Sequence, residues 1–126
     1  DIIYNYGGIY SDIDCISYKG FDNNFSKSFV CIALNGYKNI TNACFAFPKN
    51  SNFLRYVIAC LKINYNKRKN DDFLPSKTGP TFLTTCFVNY NDDNIRIINQ
   101  DYLLHPSKYL ITKNLAYTKH FNDKNW

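Results

Sequence analysis

Two aspartates separated by a single residue are the side chains of this sequence best suited to chemistry. Asp12 and Asp14 follow a Gly7-Gly8 pair and a short run of β-prone residues. Because alternate residues of an extended strand point to the same side, a strand here would aim both carboxylates, and Tyr10 with them, at one point. Paired oxygen ligands at a strand end favour Mg²⁺ or Mn²⁺, above all when a phosphate also holds the ion. Taken alone, an Asp-x-Asp in a charged protein is usually a solvated surface pair.

The elements that must position these carboxylates follow from the pattern of apolar residues, which predicts an α/β domain. Gly7 is expected to end a first helix, Ser51 or Asn52 to cap a second, and Pro80 to open a third. The first half is predicted to contain a helix end at 1–6, a strand with the two carboxylates and then its continuation or a hairpin over 9–18, a buried strand over 28–34, a loop over 35–41 and an apolar piece over 42–47. The second half is predicted to contain a helix from 51 or 52 to about 67, a loop over 70–77, a helix from 78–80 through 90, and strands over 95–98, 109–111 and 115–118.

Size and charge narrow the class of protein. The 126 residues suffice for one domain with a modest core. The net charge of +5 is spread along the chain, which suits an anionic small molecule such as a nucleotide sugar. A dense basic face is missing, so no nucleic-acid partner is expected. The sequence has no apolar run of about 18 residues and no signal peptide, so membrane contact is expected only through segments outside it.

The cysteines predict neither a metal cluster nor a disulfide framework. Their number is odd and no C-x-x-C pair occurs, so their spacing argues against a zinc site. All five lie in apolar surroundings, where a free cysteine behaves as a small hydrophobic residue. They are Cys15, Cys31, Cys44, Cys60 and Cys86.

The segment Tyr6-Gly7-Gly8-Ile9-Tyr10-Ser11-Asp12-Ile13-Asp14 resembles the Asp-x-Asp signature of sugar transferases with the glycosyltransferase A (GT-A) fold. The resemblance is to the group that contains initiation mannosyltransferases and capsular-polysaccharide transferases. It implies that Asp14 binds the metal ion directly and that Asp12 contacts the donor ribose or metal-bound water, both as catalytic residues. It further implies Mn²⁺ or Mg²⁺ as cofactor and donor contacts from Gly8 and Tyr10.

The end of the chain carries a second match to this family. Its members commonly close the catalytic domain with a His, a few residues and Ser-Trp, which His120 and Trp126 match, with Asn125 in place of the Ser. The resemblance implies that His120 is a third metal ligand or a diphosphate contact, and that Trp126 packs over the donor. A single histidine, considered without the resemblance, is as readily structural.

Two further segments match the family in the same order along the chain. Thr78-Gly79-Pro80 resembles a Thr-Gly-Pro that precedes a helix facing the donor cleft, where free N–H groups would meet an anionic or hydroxyl-rich ligand. The same residues are equally a good helix start. Asn42 resembles an Asn that contacts the donor sugar or the acceptor, and it equally fits a turn at a strand end. His105 is expected to be structural.

The resemblance implies a metal-dependent, retaining transfer of a hexose from GDP-mannose or a UDP-hexose to a hydroxyl of a glycan, lipid or protein. In the family, the strands that bind the nucleotide lie upstream, and so do an Asp and an Arg that contact the donor sugar. Residues 1–126 are therefore expected to be a partial catalytic domain without those N-terminal strands. Relatives occur in the Golgi lumen, or in the cytoplasm for microbial and viral proteins, so the compartment stays open.

Two other functions are compatible with the sequence. One is a catalytically inactive carbohydrate-binding module or degenerate transferase. The other is an Asp-based phosphatase, which also uses an Asp-x-Asp after a strand. The phosphatase is disfavoured because Cys15 follows the motif where Thr or Val is usual, and because the Gly-Gly-Ile-Tyr prefix is foreign to that class.

Overall fold

The computed structural model describes residues 1–21, 27–32, 39–70 and 73–121. Helices and strands occur in mixed order within these residues, as the apolar pattern predicts. In chain order they are α1 (Ile2–Tyr6), β1 (Gly8–Ser11), β2 (Cys15–Ser17), β3 (Phe29–Ile32), β4 (Ile40–Phe47), α2 (Asn52–Lys67), α3 (Leu74–Lys77), α4 (Pro80–Tyr90), β5 (Arg96–Asn99), α5 (Gln100–Leu103), α6 (Lys108–Thr112) and β6 (Thr118–His120).

A mixed sheet with the strand order β1-β4-β3-β5 lies at the centre of the described residues. Strand β4 pairs antiparallel with β1 and with β3, whereas β3 and β5 run parallel. Phe29, Val30 and Cys31 of β3 are fully buried, as expected for a strand covered on both faces. The prediction of an α/β fold is therefore confirmed, with a sheet of mixed direction.

Two apolar clusters form the core, and alternate residues of β3 divide between them. Phe29 and Cys31 belong to one cluster with Leu103 of α5, while Val30 belongs to the other with Phe53 of α2. Because neighbouring residues of a strand point to opposite faces, this division places the clusters on opposite sides of the sheet. Helices α2 and α4 cover one side, and the segment around α5 covers the other.

Helices α2 and α4 begin where the sequence predicts. The Ser51 hydroxyl accepts a hydrogen bond from the Leu54 N–H at 3.3 Å, which caps α2, and Pro80 is the first residue of α4. The expected apolar face of α2 is buried only at its beginning. Farther along, Ile58 and Leu61 remain more than a third exposed. These two exposed side chains line a pocket that is described below. No helix in the described part of the chain is long and apolar enough to cross a membrane.

A second, two-stranded sheet joins the beginning of the chain to its end. Strands β2 and β6 pair antiparallel, with Cys15 opposite His120 and Ser17 opposite Thr118. Two further hydrogen bonds hold the end of β6 in place. The His120 N–H donates to the Leu104 carbonyl at 2.8 Å, and the Phe121 N–H donates to the Asp14 carbonyl, just before β2, at 3.0 Å. The end of β6 is thus held beside the Asp-x-Asp segment.

The predicted strand over 9–18 is wrong in its middle. Strand β1 ends at Ser11, a turn carries Asp12 to Asp14, and β2 begins at Cys15. The Asp12 N–H still donates to the Ala43 carbonyl of β4 at 2.9 Å, but the Cys15 N–H then donates back to the Asp12 carbonyl at 3.1 Å. This local bond closes the turn, so strand alternation is not what orients the two carboxylates.

Four other segments also differ from the prediction. Residues 109–111 are helical, because the Ser107 hydroxyl accepts a hydrogen bond from the Leu110 N–H and caps α6. The strand expected over 115–118 is displaced to Thr118–His120, where β2 supplies its partner. The expected loops were too long: α3 forms inside 70–77, and β4 already begins at Ile40. The expected end of the buried strand at 33–34 lies outside the described residues.

Candidate functional site

The turn between β1 and β2 places both carboxylates of the Asp-x-Asp segment against His120. The His120 Nε2 atom lies 3.0 Å from Asp14 Oδ1 and 3.6 Å from Asp12 Oδ2. The three side chains expose only 12%, 18% and 23% of their surfaces for His120, Asp14 and Asp12 respectively. A solvated surface pair would be far more exposed, so these carboxylates belong to a largely enclosed cluster.

One oxygen of this cluster lacks a hydrogen-bond partner. Asp14 Oδ1 is buried and receives no hydrogen bond from the described residues, although His120 Nε2 lies only 3.0 Å away. That contact therefore brings two ligand-type atoms together without the alignment of a hydrogen bond. Leaving a buried carboxylate oxygen without a partner is costly in free energy. A divalent cation would supply the missing partner, and carboxylate and imidazole are ligands that Mn²⁺ accepts. The residues fit such an ion.

Tyr10 fixes the direction of the other carboxylate. Its hydroxyl donates a hydrogen bond to Asp12 Oδ1 at 2.7 Å, and its ring stacks on Phe45 at a centroid distance of 5.1 Å. The hydrogen bond to the carboxylate, together with burial and the nearby negative charge, raises the pKa of Tyr10 to about 12. Tyr10 is consequently a hydrogen-bond donor at neutral pH, and it leaves Asp12 Oδ2 directed towards His120.

Cys15 is a site residue that the sequence argument missed. One ligand atom from each of Asp14, Cys15 and His120 lies within 4.8 Å of the others. Burial, followed by the charges of the two aspartates, raises the pKa of the Cys15 thiol, which a hydrogen bond with Ser11 partly offsets. The spacing argument considered only cysteine pairs. A cysteine directly after the Asp-x-Asp motif, in a chain with a distal histidine, was the available signal.

His105 lies next to the cluster. Its ring packs edge-on against the ring of His120 at a centroid distance of 6.1 Å, and its backbone N–H donates to the Gln100 carbonyl. Packing against His120 restricts the orientation of that imidazole. A structural role for His105 stays a prediction.

A pocket of about 390 Å³ opens beside Tyr10. Among the predicted donor contacts, Tyr10, Asn42 and Thr78 all line it, so the fold brings together residues from β1, β4 and the connection between α3 and α4. Most of the other lining residues are apolar, and several come from α2. The lining comprises Asp1, Ile2, Ile3, Tyr4, Tyr10, Asn42, Phe45, Phe47, Leu54, Val57, Ile58, Leu61, Thr78, Phe82 and Leu83.

The remaining predicted donor contacts within the described residues do not line the pocket. Gly8 is exposed in β1 with a φ of +114°, and Gly79 is the residue before α4, packed closely against Pro75. Neither residue belongs to the pocket lining. Trp126, and the Asn125 that precedes it, lie outside the described residues. The donor contacts assigned to Gly8, Gly79 and Trp126 therefore stay predictions.

Comparison with known proteins relates the chain to others through its fold. No protein-family model and no curated protein matches its sequence. Among solved structures, it is similar to PaToxG glycosyltransferase, with a TM-score of 0.58 and 22% sequence identity. The match covers 71% of this chain and 32% of that one, so the chain corresponds to about a third of the solved protein. At this identity the likeness shows that the two chains share a fold.

Proposed function

We propose that the chain is part of the catalytic domain of a metal-dependent glycosyltransferase with the GT-A fold. It would transfer a hexose from a nucleotide-diphosphate sugar, GDP-mannose or a UDP-hexose, to a hydroxyl group of a glycan, lipid or protein. The observation that carries the proposal is the convergence of Asp12, Asp14 and His120, in which the buried Asp14 Oδ1 lies 3.0 Å from His120 Nε2 and receives no hydrogen bond from the described residues. The fold shared with a glycosyltransferase supports the same reaction class.

A bound Mn²⁺ or Mg²⁺ would neutralise the charge that develops on the departing nucleoside diphosphate. The protein's own residues position that ion and the donor. Asp14 and His120 provide an oxygen and a nitrogen 3.0 Å apart, and Tyr10 holds Asp12 through one oxygen so that the other faces the same space. The pocket beside Tyr10 offers the amide of Asn42 and the hydroxyl of Thr78 to a polyhydroxylated ligand.

We further propose that the transfer retains the anomeric configuration by a front-face displacement. A double displacement needs a carboxylate nucleophile next to the sugar, and the carboxylates of the cluster are committed to the cation. In the front-face reaction the acceptor oxygen forms the new bond on the face that the diphosphate leaves, and the diphosphate oxygen accepts the acceptor's proton. Mass-spectrometric detection of a glycosyl group attached covalently to the protein during turnover would overturn this part of the proposal.

Direct measurement of metal binding tests the central claim. Isothermal titration with Mn²⁺ should show binding to the wild type and a loss of at least about tenfold in affinity for Asp14→Asn. Asp93→Asn is the matched control, because Asp93 is an exposed aspartate of the loop before β5. Its Mn²⁺ affinity should equal that of the wild type. Circular dichroism establishes that both variants are folded.

Turnover provides the second measurement. Release of UDP or GDP by the full-length protein from a panel of nucleotide sugars should require Mn²⁺ or Mg²⁺ and should fall with Asp14→Asn in proportion to the lost metal affinity. Equal Mn²⁺ affinity or equal turnover for the wild type and Asp14→Asn would overturn the metal assignment. Binding of the donor without release of nucleotide would overturn the transferase proposal and favour the carbohydrate-binding module instead.

A further inference from the structure

The pairing of β2 with β6 places a thiol in the carboxylate–histidine cluster. Cys15 is directly opposite His120 in this antiparallel ladder, and Asp14 immediately precedes Cys15. Directly opposed residues of such a ladder have Cβ atoms roughly 4.5–5.5 Å apart, so their side chains meet. The backbone around them is fixed, because His120 donates to the Leu104 carbonyl and Phe121 to the Asp14 carbonyl. Register therefore makes Cys15 and His120 neighbours, and Asp14 joins them from the turn before β2.

The three ligand atoms converge on one space. They lie within 4.8 Å of one another, all three residues are half-buried, and Asp14 Oδ1 has no hydrogen-bond partner among the described residues. Around a tetrahedral Zn²⁺, with Zn–S near 2.3 Å and Zn–N near 2.0 Å, ligand atoms are separated by roughly 3.5 Å. Side-chain rotations of about 1 Å at the ligand atoms would therefore suffice to close the set.

The ligand types favour a softer ion than the proposed cofactor. Oxygen-rich sites suit Mg²⁺ and Mn²⁺, whereas a site with thiolate and imidazole selects Zn²⁺, which also binds more tightly than Mn²⁺ to a given set of ligands. The cluster holds two overlapping sets. Asp12, Asp14 and His120 form the harder set, and Asp14, Cys15 and His120 form the softer one.

We propose that Cys15, Asp14 and His120 form a Zn²⁺ site that overlaps the cation site of the transferase, so that Zn²⁺ and Mn²⁺ exclude one another. Zn²⁺ binding releases the thiol proton to solvent and recruits the Cys15 sulfur as a ligand. Three protein ligands leave the fourth position to water or a ligand oxygen. The Zn²⁺ site stands on the three side chains alone, and only its competition with Mn²⁺ rests on the proposed function. The absence of C-x-x-C pairs does not argue against a site with one cysteine.

Substitution of the sulfur separates the two ligand sets. Zn²⁺ affinity, measured by competition with a chromogenic chelator, should fall at least about tenfold in Cys15→Ser, while Mn²⁺ affinity stays within about twofold of wild type. Asp12→Asn should show the opposite pattern, with weaker Mn²⁺ binding and retained Zn²⁺ binding. Cys60→Ser is the matched control, since Cys60 is half-buried on α2 and outside the cluster; it should bind both ions like the wild type.

Two measurements on the wild-type protein need no variant. Co²⁺, used as a spectroscopic probe, should give a thiolate-to-cobalt charge-transfer absorption in the near ultraviolet. Zn²⁺, but not Mn²⁺, should protect Cys15 from alkylation by iodoacetamide, with each modified cysteine located by peptide mass spectrometry. These results would support the site even if Cys15→Ser failed to fold.

The outcomes distinguish this proposal from the proposed function. One outcome is that Mn²⁺ binding requires Asp12 and Asp14, while Cys15→Ser leaves the Zn²⁺ affinity unchanged and Co²⁺ gives no charge-transfer band. The zinc site is then overturned and the transferase proposal stands. If Zn²⁺ binding requires Cys15 while Asp14→Asn leaves the Mn²⁺ affinity unchanged, the zinc site stands and the Mn²⁺ assignment is overturned. Simultaneous tight binding of both ions would overturn their mutual exclusion.

Discussion

The Tyr10 hydroxyl donates to Asp12 Oδ1 at 2.7 Å, while Oδ2 of the same carboxylate faces His120 Nε2 at 3.6 Å. One oxygen of the Asp12 carboxylate is thus held by the Tyr10 hydroxyl, and the other faces the space beside His120. A carboxylate held on one side loses less rotational freedom when its other oxygen binds a ligand. Tyr10 is therefore a positioning residue for the cluster.

The titration of Tyr10 should report this contact. We expect a Tyr10 pKa of about 12 in the folded wild type, against an ordinary value of 10.0, since the phenolate would lose its hydrogen bond and face the Asp12 charge. Asp12→Asn should lower the Tyr10 pKa towards 10.0. Nuclear magnetic resonance of the ring carbon bonded to the hydroxyl, assigned by comparison with Tyr10→Phe, follows the titration.

The direction of the stability effect follows from the same shift. A folded-state pKa above the unfolded value means that the contact stabilises the fold fully below pH 10 and loses this contribution as the pH rises through about 12. Asp93→Asn, a distant exposed carboxylate, should leave the Tyr10 pKa unchanged. A wild-type Tyr10 that titrates near 10 would contradict the hydrogen bond.

The two glycines before the Asp-x-Asp segment should differ in their tolerance of a side chain. Both have positive φ angles, +75° for Gly7 and +114° for Gly8, so alanine at either position costs about 1–3 kcal/mol in backbone strain. At Gly7 the added Cβ would also lie 2.7 Å from the Lys49 backbone nitrogen, whereas at Gly8 it would meet open space. Urea denaturation should therefore show the larger loss for Gly7→Ala. Equal losses would contradict the close approach of Gly7 to residue 49.

The serine that caps α2 should contribute measurably to stability. Ser51→Ala removes the acceptor for the Leu54 N–H at a nearly buried position and should lower the free energy of unfolding by about 1 kcal/mol. Ser107→Ala is the matched comparison, because Ser107 makes the same 3.3 Å contact with Leu110 but is exposed and caps a helix of only five residues. Its loss should be smaller in urea denaturation. The reverse order would contradict the burial of the α2 cap.

Phe53 should be the most sensitive apolar position of α2. It is 2% exposed, and its ring contacts Phe47, Phe87 and Tyr90, so Phe53→Ala leaves a cavity between α2, α4 and the sheet. We expect a loss of about 3–5 kcal/mol in the free energy of unfolding, and a smaller loss for Phe53→Leu. Ile63→Ala on the same helix is the control, since Ile63 is 58% exposed and should change stability by less than about 0.5 kcal/mol. A tolerant Phe53 would contradict the packing of α2 on the sheet.

The helices that begin with a strong local signal were predictable from the sequence. Ser51 caps α2 and Pro80 opens α4 as expected, because capping and the fixed φ of proline act within one turn of chain. Residues 109–111 show the limit of such reasoning. Tyr109, Leu110 and Ile111 favour a strand by composition, but the cap from Ser107 makes them helical.

The candidate site was predictable only in its residue types. Asp12 and Asp14 stand out by spacing, yet their orientation comes from a turn and from pairing with β6 rather than from strand alternation. His120 entered through a family resemblance, since no local pattern connects it with Asp14. The position of Cys15 opposite His120 depends on the register of β2 with β6. The register between strands that are distant in sequence cannot be predicted from the spacing of residues along the chain.

The β2–β6 ladder also has a consequence for folding. Cys15 and His120 belong to opposite ends of the sequence, so their contact forms only after the chain between them has been brought into a closed loop. A cation that bridges Asp14 and His120 would bind only molecules in which this loop has closed, and it would stabilise the closed loop. By mass action, the midpoint of thermal unfolding would then rise with the concentration of free cation.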